Sequence, residues 1–283
     1  LEDEKVPLNT RLLEGGGQGG TSACCVSRLG GKTAVIGNIG DDKEGEFCLG
    51  RLRDFNVDTR YVQVLKNAQT PIAYLFVNKS NGKRTIIYEP SRLPDIDIPE
   101  DLDHLLQSAK TLSLDPQTTT LGKTLKKRIR PDARLIYDCE RWKDHMEEMI
   151  AAADYFIQSS AFFDSSTDNF EPQQLFDNIF KLKKMIRGQL IVTHGDAGAY
   201  YPFENKLYHV PAPTIAVLDT TGAGDNFHGA FALAISRGFD LHKAVRFSVA
   251  VASLSCRAYG GRDAVPGFNE ALAMSRKLSS KVV

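Results

Sequence analysis

"TTGAGDNFHGAFA", Thr220 to Ala232, joins a turn-like run to a stretch with helical apolar spacing. Gly222, Ala223 and Gly224 stand at the mouth of that helix, and Asp225 follows them. A helix N-terminus carries N–H groups without carbonyl partners and a partial positive charge. Residues with little or no side chain let an anion come close to those groups. The mouth therefore suits a phosphate or a developing negative charge. A carboxylate at Asp225 can accept the proton of an alcohol as the alcohol attacks phosphorus. The plainer alternative is a tight turn closed by an aspartate cap. No Gly-Lys-Ser/Thr follows, so the stretch is not a P-loop.

Upstream of this helix, short β-rich runs alternate with longer helix-like runs. The strand candidates are "TAVIG" (33–37), "KTLSLD" (110–115), "ARLIYD" (133–138), "DYFIQS" (154–159) and "QLIVTHG" (189–195). Helices are expected near 43–55, 117–130, 142–152 and 172–187, and two long ones, about 223–237 and 241–256, close the chain. Strand, helix, strand in order predicts an α/β fold with a mostly parallel central sheet flanked by helices.

One segment breaks the alternation. "TPIAYLFVNKSNGKRTIIYEP" (70–90) has two β-rich arms around Asn81-Gly82, a strong hairpin signal. It should project from the sheet as a small β flap. Its arms carry Ile72, Tyr74, Phe76, Ile86, Ile87 and Tyr88. So much apolar surface on two strands needs a cover, either a ligand or a second subunit.

Bulk properties exclude more than they assign. The chain has 283 residues, enough for one or two domains with a core of their own. Its formal net charge is zero, so nothing global argues for nucleic acid or an anionic membrane as partner. No apolar run approaches the roughly 18 residues of a membrane helix, and "LEDEKVPLNT" does not read as a signal peptide. The five cysteines form no C-x-x-C pair, which argues against zinc and for reduced, buried thiols in a cytoplasmic protein.

"DTTGAGD" (219–225) resembles the C-terminal signature of the ribokinase-like (PfkB) carbohydrate kinase family. "GGGQGGTSACCVSRLGGKTAVIGNIGDDKEG" (15–45) is similar to its N-terminal signature, through Gly16-Gly17, Leu29-Gly30, Gly37, Gly40, Asp42 and Gly45. "IVTHGDAGAYY" (191–201) looks like the strand before the family's nucleotide loop. "VAVASLSCRAYGGRDAVP" (249–266) looks like the helix and turn beside the adenine. The likeness runs in order from about residue 3 to 270. It implies a single ribokinase-like domain over 1–283, with a lid built from about 1–14 and 70–90. The implied activity is ATP- and magnesium-dependent phosphorylation of a hydroxymethyl group on a sugar or sugar derivative. A keto sugar such as fructose is favoured. A nucleoside kinase is the alternative enzyme, and a low-turnover regulatory homologue is the alternative of another class.

The resemblance also implies roles. Asp225 matches the catalytic base, and Gly222, Ala223 and Gly224 match the anion hole. Gly16, Gly17, Gln18 and Thr21 fall on the sugar-binding part of the first signature, although Gln18 and Thr21 stand where the family often has Asn. Arg84 resembles a phosphate-reaching arginine of the ketohexokinase branch, or it is a solvated lid charge. Thr193, Gly195 and Gly198 match the ATP loop, which an ordinary β-turn would also explain, and Ser253 lies on the helix beside the adenine. Asp219 and Thr221 occupy positions that help bind a monovalent cation such as potassium, or they form an Asp turn. Asp138, Glu140 and Arg141 resemble a D-x-N-x-R stretch. Glu140 either holds the magnesium's water shell or is a strand-end charge. The lid implies a homodimer.

Two departures stand out. The family's N-x-x-E motif is replaced by "SSAFFDSS" after "DYFIQ". The family's first strand, with its G-x-x-x-x-D motif, has no counterpart before Gly16. The expectation is a natural protein longer by roughly twenty to forty N-terminal residues. "DEKVPLNTRLL" is expected to be a lid strand. His194 and His228 read as structural, and "LKKRIR" (125–130) as a solvated helix face.

Overall fold

The computed structural model describes residues 8–78, 84–144, 146–165 and 174–283. The chain begins with α1 (Gln18–Arg28), β1 (Ala34–Gly40), α2 (Lys43–Asp54) and β2 (Asp58–Leu65). β1 and β2 pair in parallel, with Gly37 opposite Val62. Asp42 organises this corner. Its carboxylate accepts the N–H of Gly45, which caps α2, and both the N–H and hydroxyl of Thr70. Next comes an antiparallel ribbon of β3 (Ala73–Val77) and β4 (Arg84–Tyr88), with Leu75 opposite Ile86. The ribbon is the expected flap, and its Asn81-Gly82 turn lies outside the described residues.

The larger body follows. In order it contains α3 (Asp103–Ser108), β5 (Thr111–Leu114), α4 (Gly122–Arg128), β6 (Arg134–Cys139), α5 (Met146–Ala152), β7 (Tyr155–Ser159), α6 (Ala161–Ser165) and α7 (Leu175–Met185). Then come β8 (Gln189–Thr193), β9 (Ala199–Phe203), β10 (Lys206–Val210), α8 (Ala223–Ser236), α9 (Leu241–Ser255), α10 (Phe268–Ser275) and β11 (Lys281–Val282). Seven strands form one sheet in the order β11-β10-β9-β8-β7-β6-β5. β5 to β8 are parallel, and β9 to β11 extend the sheet antiparallel.

Successive strand residues point to opposite faces, and here both faces are covered. Leu135, Tyr137, Phe156, Leu190 and Val192 pack with Leu125, Met149 and Leu182 of α4, α5 and α7. Ile136, Ile157 and Ile191 pack on the other side with Phe227 and Phe231 of α8 and Val245 and Phe247 of α9. α8 is buried almost all round, from Asn226 to Ala234. A helix that is apolar on every side belongs inside, and "NFHGAFALA" has that composition. Among the described residues no helix is long and apolar enough to cross a membrane.

Three features differ from the expectations. "TAVIG" joins no large sheet, because among the described residues β1 pairs with β2 alone. β2, β9, β10 and β11 lie outside the five strand candidates and the two flap arms. Residues 3–7 of the expected lid strand lie outside the described residues, and its residues 8–13 carry no strand. Their end is anchored instead by Glu14, whose carboxylate accepts the N–H groups of Gly261 and Arg262.

Candidate active site

The site begins where α8 begins. Gly222 caps the helix with φ 69, in the left-handed region that glycine enters without strain. A Cβ there would also stand 2.8 Å from the Cα of Gly261 and 3.2 Å from the Thr21 methyl. Asp219 holds the approach to this cap. One of its oxygens accepts the Thr221 N–H at 2.8 Å, and the other accepts the Gly260 N–H at 2.9 Å. The first-turn N–H groups of an α-helix lack helical partners, and at α8 that of Ala223 is turned back, toward the Thr220 carbonyl at 3.3 Å. From the flap, the Arg84 guanidinium donates to the Thr220 hydroxyl at 2.9 Å. The sequence-predicted anion hole and Arg84 thus meet at one loop.

Asp225 sits in the first turn of α8, partly exposed. α1 crosses α8 here, and the Ser22 hydroxyl donates to the Asp225 carbonyl at 2.8 Å. The crossing is close because of Gly229, where a Cβ would lie 2.4 Å from the Ser22 carbonyl oxygen. The Asp225 carboxyl is pushed up to about 7, first by its removal from water and then by the negative charge of Asp138. His228 and Arg84 pull the other way.

Asp138 is the last residue but one of β6, and its Oδ1 lies 3.1 Å from Nε2 of His228, one helical turn beyond Asp225. Burial opposes charge on His228, but Asp138 outweighs it and raises the imidazole. Glu140 follows on the exposed strand end. Its carboxyl is raised by partial desolvation and by Asp138. Asp115 directly follows β5 and stands beside Asp138, because Leu114 pairs with Tyr137, and burial raises it as well.

Reading the sequence for structural histidines missed the Asp138–His228 pair. The signal was present as His228 at i+3 from Asp225, on the same helical face. Asp115 was missed too. "LSLD" and "IYD" end neighbouring parallel strands alike, so their aspartates come together.

The sequence-predicted acceptor residues lie at the start of α1. Gly16 and Gly17 are exposed and Gln18 is partly exposed. A Cβ on Gly19 would lie 3.7 Å from Oδ2 of Asp115, so the first turn of α1 looks across to the β5 aspartate. Thr21 is placed differently from its neighbours. It is 5% exposed and faces Arg262, whose Nε lies 3.4 Å from its hydroxyl.

The nucleotide-side candidates open at the same sheet edge. β5 to β8 are parallel, so the turn carrying Thr193, Gly195 and Gly198 leaves the carboxyl end of β8, in line with Asp138 at β6. His194 N–H closes that turn onto the Gly198 carbonyl at 2.8 Å. Ser253 is half-buried near the end of α9. The carbonyl of Cys256 just beyond that helix end accepts the N–H groups of Leu218 and Asp219, which ties α9 to the anion-hole loop. Ligands in open α/β sheets bind at this carboxyl edge. Among the described residues no group of three or more His, Cys, Asp or Glu side chains could hold a metal ion. Thr221 keeps a buried hydroxyl without a partner beside Asp219.

The model of the pfkB family carbohydrate kinases matches residues 2–267. The chain belongs to the PfkB family of carbohydrate kinases. Its members are phosphotransferases with an alcohol as acceptor, and this PfkB kinase has their ribokinase-like fold. It is 27% identical to a ribokinase of Bacillus subtilis (strain 168) over 90% of this chain and 85% of the relative. It is 24% identical to a deoxyribokinase of Salmonella typhi over 92% and 88%. The structure of Arabidopsis thaliana ribokinase complexed with ribose and ATP superposes on the kinase with a TM-score of 0.79. That match is 24% identical and covers 98% of this chain and 92% of the other.

Proposed function

We propose that the kinase transfers the γ-phosphoryl group of ATP to a primary hydroxyl of a sugar, with Asp225 as general base. The observation that carries this reading is the Asp225 carboxyl, held near 7 in the first turn of α8 beside the Gly222–Gly224 turn. A base poised near the working pH is deprotonated often enough to act and still basic enough to take a proton. The sugar O–H gives its proton to Asp225 while its oxygen attacks phosphorus. The bond from the γ-phosphorus to the bridging oxygen breaks, and ADP leaves. Charge on the moving group falls on the N–H groups of Gly222, Ala223 and Gly224, with Arg84 reaching over from the flap. Gly16, Gly17 and Gln18 hold the acceptor's hydroxyls, and Thr193, Gly195 and Ser253 border the nucleotide.

Magnesium neutralises charge on the phosphates in such transfers. The ion would arrive on the nucleotide, with Glu140 at the exposed strand end holding its water. Potassium stimulation is the weaker part of the reading, and the orphaned Thr221 hydroxyl beside Asp219 supports it. The names of the relatives favour a pentose such as ribose over fructose as the first acceptor to assay. The exposed flap faces support a homodimer. All five cysteines are free thiols, which supports a reducing, cytoplasmic location.

ADP release, coupled to a reporter enzyme, tests the reading across D-ribose, 2-deoxy-D-ribose, D-fructose and adenosine. Magnesium-dependent release with one of the three sugars is expected. Release with adenosine alone would move the kinase to nucleosides. No release with any acceptor would favour a regulatory homologue.

A further inference from the structure

Among the described residues Arg262 is the largest side chain that is fully buried, at 1% exposure. Arginine is seldom buried to that extent unless it is paired. Here neither guanidinium hydrogen bond goes to a carboxylate. Nη2 donates to the Gly16 carbonyl at 2.7 Å, and Nε lies 3.4 Å from the Thr21 hydroxyl. Nη1 is buried without a partner. Its position crowds Gly15, where a Cβ would come within 2.6 Å.

The loop that carries Arg262 is tied on two sides. On the phosphoryl side, Gly260 N–H reaches Asp219, the Gly261 carbonyl accepts from Asn226 at 2.8 Å, and Gly222 rests on Gly261. On the acceptor side, Glu14 accepts from Gly261 and Arg262 at 2.6 and 3.2 Å, and the guanidinium holds Gly16 and Thr21. Residues 260–262 therefore form a crosspiece between the anion-hole turn and the Gly16–Gly17 turn.

We infer that Arg262 is a positioning residue that fixes the Gly16–Gly17 turn and couples acceptor binding to nucleotide binding. The inference rests on the kinase reading above. A planar guanidinium holds a carbonyl and a hydroxyl at set angles, which an apolar side chain or an ammonium does not reproduce. The unsatisfied Nη1, packed against Gly15, leaves this tie incomplete, so the set of the Gly16–Gly17 turn follows the loop that carries Arg262. Coupling of this kind is reciprocal, so each ligand tightens the other by the same factor.

Calorimetric titration of D-ribose, with and without magnesium and a non-hydrolysable ATP analogue, tests the inference. In wild type the analogue should tighten ribose binding. Arg262→Met should abolish that tightening and weaken ribose by about tenfold, within the ordinary range of coupling. Binding of the analogue alone should stay nearly unchanged. Arg262→Lys should recover part of the coupling. Glu14→Gln loosens the other tie while leaving the guanidinium's own bonds to Gly16 and Thr21 in place, and it should also reduce the coupling. It stands as the test if Arg262→Met does not fold. A folded variant with intact ribose affinity and coupling overturns the inference. So does a loss of both ligands in step with melting temperature. Wild type that binds the analogue but no ribose, deoxyribose or fructose overturns the proposed choice of sugar instead.

Discussion

The seven-stranded sheet and the β3–β4 flap are built on opposite terms. In β6, β7 and β8 most side chains are buried, with helices on both faces. In the flap nearly every residue is exposed, including Tyr74 at 58% and Tyr88 at 60%. Both regions bring a charged group to the same loop. The sheet and α8 fix Asp225 and Asp138 on rigid elements, whereas Arg84 arrives on a ribbon with no core of its own. A two-stranded ribbon is at best marginally stable in water. The part of the site proposed to do the proton chemistry is thus held by packing. The part that reaches over the acceptor depends on what covers the flap.

Removing the base should have the largest effect. Asp225→Asn is expected to lower turnover by about 10²- to 10⁴-fold with little change in ATP affinity, measured by steady-state kinetics and titration. Wild-type turnover should also fall as pH drops below about 7, where Asp225 takes up its proton. Stability should move the other way. The folded carboxyl keeps its proton to about pH 7, the unfolded one only to about 4. Across that window the folded protein binds more protons, so stability declines as pH rises, and the whole cost is present above pH 7. Asp225→Asn should therefore melt higher than wild type at pH 8, with the gap closing toward pH 4. Equal melting at pH 8 would break the picture of a base held against its preference.

Arg84→Met tests whether the flap contributes to chemistry. About a tenfold loss in kcat/KM is expected from one charge-assisted contact, with an unchanged melting temperature because the residue lies outside the core. Full activity would reduce Arg84 to a solvated lid charge. A several-fold rise in the sugar KM, together with dissociation in sedimentation experiments, is expected for Phe76→Lys or Ile86→Lys. A wild type that sediments as a monomer at micromolar concentration would leave the flap without its proposed cover.

The smallest effect belongs to the β1–β2 corner. Asp42→Ala removes three accepted bonds, including a helix cap, and should cost about 1–2 kcal/mol, read from denaturant unfolding. Burial disfavours the Asp42 charge, but its bonds to Thr70 and Gly45 prevail and hold the carboxyl below its usual value. That stabilisation is present above the unfolded pKa and fades as pH falls through the folded one. The gap between wild type and Asp42→Ala should shrink in acid.

The rigid half of this comparison was the more legible one. The runs "ARLIYD", "DYFIQS" and "QLIVTHG" lie on β6 to β8 because a strand buried on both faces reads as continuous apolar sequence. The mouth of α8 was legible because glycines and a carboxylate at a helix start have few other uses. The antiparallel extension was not. β9 carries Pro202, which argues against a strand. The turn that closes β9 onto β10 uses Glu204 and Asn205 at positive φ rather than the usual glycine. The pairing of Asp138 with His228, and the anchoring of residues 260–262 by Glu14, join positions far apart in the chain. No local pattern encodes them.

The crossing of α1 over α8 decides where this kinase can change its preferences. A methyl at Gly229 would drive into the backbone of Ser22, and it would lift the whole acceptor helix away from the base. A laboratory search for new acceptors should find its gains at Gln18 and along the flap arms. Libraries that vary Gly229 should return inactive clones, even for the smallest replacement, alanine.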